Sequence, residues 1–145
     1  MVEMTQDRRE RLFVYGTLRR DPRHEMFHLL AKHARYLGEA TVPGRLFDLG
    51  EYPGMIWPDE RNSVLGEIYE VEADHWDDVI HRLDEYEGCG PSDPSPHEYR
   101  REVVIARLSD GKAIPAWAYV LNQSPAGMRE IQSGDYVSWR EGAAH

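Results

Sequence analysis

The run Leu83-Asp84-Glu85-Tyr86-Glu87-Gly88 crowds Asp84, Glu85 and Glu87 at what reads as the C-terminal end of a helix. Acids there oppose the helix dipole and repel one another, and both effects favour protonation. A carboxyl so placed, if also shielded from water, could take and return a proton near neutrality. A solvated helix end explains an acidic run equally well. Glu87 differs from its neighbours because it lies one turn beyond Leu83 on the apolar stripe. It is expected to point inward while Glu85 faces solvent.

Two further stretches hold residues of chemical interest. In Val14-Tyr15-Gly16-Thr17-Leu18 a glycine directly follows an apolar run. Such a glycine either lets a ligand approach the backbone, where successive N–H groups bind an anion, or simply turns the chain. In Glu98-Tyr99-Arg100-Arg101, strand alternation puts Tyr99 and Arg101 on one face and Arg100 on the other. One arginine could bind a carboxylate or hold the Glu87 loop; a charged strand edge accounts for both as well. His24 and His28 have i, i+4 spacing but no third ligand in view, so no metal is expected there. Cys89, the single cysteine, would need a partner base to act as a nucleophile and is read as a small loop residue. No P-loop or G-x-G-x-x-G series follows a strand.

These residues need elements to hold them. With 145 residues, of which 41% are hydrophobic, the chain suits one domain with a real core. We expect residues 11–145 to form it, with residues 1–10 loose. Leu12-Phe13-Val14-Tyr15 reads as a buried strand ended by Gly16. Asp21-Pro22 has the form of a helix start, and Phe27, Leu30, Ala31 and Ala34 recur at helical spacing. The segment from Tyr36 to Trp57, with its glycines and prolines, suits short strands joined by tight turns. Val64 to Val71 alternates as a strand does. Asp74 is a candidate N-cap for a helix carrying Trp76, Val79, Ile80 and Leu83, with Gly88 where a left-handed stop is wanted. Tyr99 to Leu108 and Ala113 to Leu121, split by Ser109-Asp110-Gly111-Lys112, predict a hairpin. From Asn122 to His145 the chain is polar with scattered Tyr136, Val137 and Trp139, and no element is assigned. The class is α+β, with a mostly antiparallel or mixed sheet that could curl into a small barrel flanked by helices.

Composition narrows the partners. Lys and Arg total 17 against 26 Asp and Glu, a net charge of −9, which argues against nucleic acid. The start lacks an apolar signal region, and no stretch approaches the roughly 18 apolar residues of a membrane span. One cysteine excludes a disulfide framework within the chain, so a reduced, cytoplasmic setting is the simplest reading.

Four stretches, Phe13-Val14-Tyr15-Gly16-Thr17-Leu18-Arg19, Gly66-Glu67-Ile68-Tyr69, Leu83-Asp84-Glu85-Tyr86-Glu87-Gly88 and Tyr99-Arg100-Arg101, occur in this order. Together they resemble the gamma-glutamylcyclotransferase-like family, in its gamma-glutamylamine cyclotransferase type, and span roughly residues 11–121. The resemblance implies a small mixed barrel flanked by helices, with a pocket at one end. It implies cleavage of a γ-glutamyl amide by the substrate's own α-amine, giving 5-oxoproline and a free amine or amino acid. It implies Glu87 as general acid/base, Tyr15, Gly16, Thr17 and Leu18 cradling the γ-glutamyl end, and Tyr99 lining the pocket. Neither a metal nor an organic cofactor is implied. The proline-rich loop from Gly88 to Glu98 is expected over the pocket mouth, where it would select the leaving group, and Gly134-Asp135-Tyr136 could supply an aromatic that closes the site. The competing reading is a non-catalytic module that binds a small γ-glutamyl or amino-acid ligand. Thiol-dependent amide hydrolysis through Cys89 is a third. A small γ-glutamyl compound is thus the expected partner, bound by a monomer or homodimer.

Overall fold

A computed structural model of the chain describes residues 11–16, 25–50, 52–90 and 96–143. The N-terminal segment 1–10, the Asp21-Pro22 helix start and positions 91–95 of the proline-rich loop lie outside the described residues.

β1 (Arg11–Val14) is the short apolar run, and its side chains alternate between two cores. Leu12 and Val14 join one core, while Phe13 and, just past the strand, Tyr15 join the other. β1 runs antiparallel to β5 (Ser63–Val71), and β5 pairs with β2 (Ala34–Pro43). β2 in turn meets β6 (Tyr99–Leu108), which forms the expected hairpin with β7 (Ala113–Leu121). A parallel contact of Leu12 with Trp117 joins β1 to β7 and closes a five-stranded mixed barrel. The fold is thus the α+β class with a small mixed barrel and flanking helices.

A barrel of so few strands has a narrow interior that favours small side chains. Ala40, Ala106, Ala116 and Ala118 are buried in the same core as the Phe13 ring. Gly66 of β5 takes this to the limit. A Cβ there would strike the Val14 carbonyl oxygen and sit 2.6 Å from Cζ of Phe13.

The other core packs helices against the barrel. α1 (Glu25–His33) contributes Leu29 and Leu30, and α2 (Trp76–Tyr86) contributes Trp76, Val79, Ile80 and Leu83. The stripe on α2 is the one its spacing predicts. Its start is not: Asp74 lies inside a 3-10 turn (Ala73–His75), and no side chain caps the helix. Ala34, placed on the first helix by its spacing, instead opens β2 opposite Val71. The β2–β5 ladder takes over there, and the Glu72 N–H donates to the His33 carbonyl at 2.9 Å. α2 stops as expected. Gly88 has φ +73°, its N–H donates to the Glu85 carbonyl, and the Cys89 N–H donates to that of Asp84 at 2.9 Å. That bond pair satisfies two of the last helical carbonyls, those of Asp84 and Glu85.

A second, antiparallel sheet holds β4 (Pro53–Ile56), β3 (Arg45–Asp48) and β8 (Arg129–Ile131) in that order. β8 and α3 (Tyr136–Ala143) arise in the segment read from sequence as polar and without elements. β8 exposes Arg129, half-covers Glu130 and buries only Ile131, so it carries no strand period, and its pairing with distant β3 creates it. Among the described residues no helix is long and apolar enough to cross a membrane.

The packing at Gly66 sets a test. Gly66→Ala is expected to lower stability by about 1–3 kcal/mol or more, as overpacking of a filled core does. Equilibrium urea unfolding measures it directly, and an unchanged midpoint would contradict the tight approach of β1 to β5.

Candidate active site

Where β1 ends, a cavity of about 400 Å³ opens at one end of the barrel. Tyr15 and Gly16 line it just past β1, and Glu87 and Gly88 line it from the end of α2. Tyr52 and Pro53 come from the start of β4, Glu98 and Tyr99 from the start of β6, and Tyr119 from β7.

Glu87 is held there by a clamp three residues back along its helix. Asp84 accepts from Arg101 Nε at 2.9 Å and Nη2 at 3.1 Å, a two-pronged ion pair, and from the Tyr119 hydroxyl at 2.6 Å. Such forked, charge-assisted bonds fix orientation as well as position. The Arg101 guanidinium also lies 4.8 Å above the Trp117 ring. The helix end is therefore tied to β6 and β7 together.

The tyrosines of the cavity tie its walls to one another. Tyr15 donates to the Tyr119 carbonyl at 2.6 Å and accepts from the Met55 N–H at 3.1 Å. Tyr99 donates to the Pro53 carbonyl at 2.5 Å. Burial, reinforced in Tyr15 by the charge of Glu87 and in Tyr99 by Tyr15 and Glu87, pushes both phenols above their ordinary range, so they remain donors. Tyr119 is raised too, by burial and by its bond to Asp84.

Glu87 is treated differently. Its residue is half-buried, and among the described residues its carboxyl has no hydrogen bond or ion pair. Burial first, then the charges of Glu98 and Asp84, push it up to about 7. Glu98 itself accepts from the Tyr52 hydroxyl at 2.8 Å and from Gln123 at 3.3 Å. A carboxyl with this affinity for protons can accept and return one near neutral pH.

The structure therefore brings Tyr15, Gly16, Glu87 and Tyr99 to one cavity. Thr17 and Leu18 lie outside the described residues. Glu85 is exposed, as its place on the helix requires. Arg101 is turned to Asp84, at the helix end, and does not line the cavity. Cys89 lies with its Sγ 3.9 Å from Asp84 and is not a lining residue. Tyr136 corrects an expectation: it is buried in the core with Phe13, its hydroxyl accepts from Arg140 at 3.2 Å, and it does not reach the cavity. Its helix packs on the second sheet, where Trp139 donates to Asp48. His28 is exposed on α1, and His24 lies outside the described residues. Sequence reasoning missed Tyr52, Pro53 and Tyr119. Only Tyr119 carried a signal, as a tyrosine two residues from the end of an apolar strand.

A closed mixed barrel with a cavity at the end of its first strand, walled by an acidic helix end, is the class of fold that the four sequence stretches imply. The profile of the family described as Gamma-glutamyl cyclotransferase, AIG2-like matches residues 12–138, and the chain belongs to that family. It is 33% identical over 127 residues to a Vibrio cholerae protein named "Putative gamma-glutamylcyclotransferase", covering 86% of this chain and 93% of that one. YkqA of Bacillus subtilis, named in the same way, is 32% identical over 132 residues. That match covers 90% of this chain, which spans only 41% of the Bacillus protein's length. The YkqA crystal structure superposes with a TM-score of 0.68 at 28% identity, over 93% of this chain and 42% of that one. An uncharacterized Pyrococcus horikoshii protein superposes with a TM-score of 0.63 at 27% identity, over 94% of this chain and 97% of its own.

Folding raises the Glu87 pKa from 4.5 to about 7, so between those values the folded chain holds a proton that the unfolded chain releases. Its contribution to stability therefore falls as pH rises through that window and is lowest above it. Glu87→Gln, which removes the charge, is expected to be more stable than the native chain at about pH 8, by on the order of 1–3 kcal/mol. The difference should vanish below the ordinary carboxylate range; urea unfolding against pH measures it.

Proposed function

We propose that the chain is a γ-glutamyl cyclotransferase whose general acid/base is Glu87. The observation that carries this reading is a carboxyl at the cavity wall, without a cationic partner among the described residues and raised to about 7. The substrate's α-ammonium titrates above neutrality, so a carboxyl raised to about 7 is closer to it in proton affinity than an ordinary carboxylate is. An ordinary carboxylate would be too weak a base for it.

In the proposed reaction the substrate's α-nitrogen attacks its own γ-carbonyl carbon. The new C–N bond closes a five-membered ring, and the original amide C–N bond breaks. The α-ammonium gives up two protons on becoming the ring N–H, and the departing nitrogen gains two as it leaves as an ammonium. Glu87 takes one from the attacking nitrogen and passes it to the leaving one; the other exchanges with solvent. Because the attack is intramolecular, the main task of the site is to fold the substrate into a near-attack shape. Backbone N–H groups around Gly16, with Thr17 and Leu18 beyond it, would hold the γ-glutamyl end or the developing oxyanion. Tyr15 and Tyr99 would offer ring surface, their hydroxyls being engaged with main-chain groups. A cytoplasmic setting and a small γ-glutamyl partner belong to the same proposal.

Incubation with a panel of γ-glutamyl amino acids and γ-glutamyl amines should release 5-oxoproline. Glu87→Gln should remain folded and lose about 10²–10⁴ of the rate; near-normal turnover would reject its role. Thermal stabilisation by these compounds without product would instead identify a binding module.

The same reading fixes a pH dependence. The base form of Glu87 exists above about pH 7, so kcat/KM should rise with pH through that value. Because the charge of Glu98 helps to raise Glu87, Glu98→Gln should move this acid limb to lower pH, which a pH–rate profile would show.

A further inference from the structure

Away from the cavity, α1, β5 and the 3-10 turn meet at a cluster that the proposed reaction does not use. His33 is the last residue of α1, Glu72 directly follows β5, and His75 ends the turn. His33 Nδ1 lies 3.7 Å and His75 Nε2 4.0 Å from the same oxygen, Oε1 of Glu72. The two imidazole rings stack with centroids 4.1 Å apart and planes inclined by 26°. One donor atom from each of the three residues lies within 4.8 Å of the others. None of the three lines the cavity.

We propose that His33, Glu72 and His75 form a binding site for a borderline divalent cation of the Zn²⁺ type. The ligand chemistry selects the ion. Two imidazoles and one carboxylate suit Zn²⁺ and its late first-row neighbours, with a further position left for water. Mg²⁺ and Ca²⁺ prefer sets made of oxygen. The backbone already assembles the site. The Glu72 N–H donates to the His33 carbonyl at 2.9 Å, and the His75 N–H donates to the Glu72 carbonyl at 3.0 Å. Residues distant in sequence are thus joined main chain to main chain, and only side chains must move.

That movement is small. Bonds of about 2.0–2.1 Å in a tetrahedral site put ligand atoms roughly 3.3 Å apart. The two contacts to Glu72 already measure 3.7 and 4.0 Å. The His33 side chain is 14% exposed, while those of Glu72 and His75 are 61% and 46% exposed and so have solvent-side room to adjust. The neutral imidazole ring is the form that binds a metal. Among the nearby cations, Arg35 is held by Glu70 at 2.8 Å. A bound ion would staple the end of α1, the end of β5 and the approach to α2.

The test uses the full chain without an affinity tag, titrated with Zn²⁺ near pH 7.5 by calorimetry and followed by thermal unfolding. The expected result is one ion per chain and a raised Tm with Zn²⁺, with no shift at the same concentration of Mg²⁺. His75→Gln and Glu72→Gln, both at accessible side chains, should each weaken binding by at least the roughly 10–100-fold that even outer-shell partners supply. His81→Gln should leave it unchanged, since that imidazole lies elsewhere, 3.4 Å from Glu85. Unaltered Zn²⁺ affinity in His75→Gln and Glu72→Gln, or an equal response to Mg²⁺, would overturn the site. Neither readout depends on turnover, so the outcome is independent of the proposed reaction.

Discussion

The ion pair between Asp84 and Arg101 is the contact on which the rest of the cavity depends. A helix end that carries Asp84, Glu85 and Glu87 is poorly suited to settle against a barrel, because its charges repel and the dipole opposes them. The fork of Arg101 offsets that repulsion at one position and adds the Tyr119 hydroxyl as a third donor. Removing either partner of such a part-buried pair would leave a charge without its counter-ion. With the pair in place, the left-handed turn at Gly88 fixes where the chain goes next and therefore where Glu87 sits.

The cavity walls are joined by the same kind of bond repeated. Tyr15 links the end of β1 to β7 and β4, Tyr99 links β6 to β4, and Tyr119 links β7 to α2. Each phenol is amphipathic: its ring contributes apolar surface and its hydroxyl reaches a main-chain or carboxylate acceptor. A barrel end cross-braced this way would suit the proposed reaction, which depends on folding a flexible substrate into one shape.

Much of this was legible in the sequence, and the parts that were not share a cause. Leu83 and Glu87 are one turn apart on a strongly patterned helix, so the inward direction of Glu87 followed from periodicity alone. The buried run before Gly16 and the hairpin around Gly111 were equally local signals. Tyr52, Tyr119, β8 and the meeting of His33 with Glu72 and His75 depend on chain segments brought together only by the tertiary fold. Asp74 and Ala34 show the reverse case. Their local signals were sound, but a 3-10 turn at the start of α2 and the β2–β5 ladder prevailed over them.

Asp84 and Glu87, three positions apart on one helix end, show how surroundings divide the work between identical functional groups. Asp84 receives an arginine fork and a phenol, while Glu87 receives no donor among the described residues and faces the cavity. The two assignments are coupled, because the charge of Asp84, together with that of Glu98, is part of what raises Glu87. A second cation close enough to pair with Glu87 would relieve its repulsion and steady the fold, yet it would return the carboxyl toward its ordinary range. The conflict between a stable helix end and a carboxyl poised near neutrality is thus resolved by giving the fork to one acid and withholding it from the other.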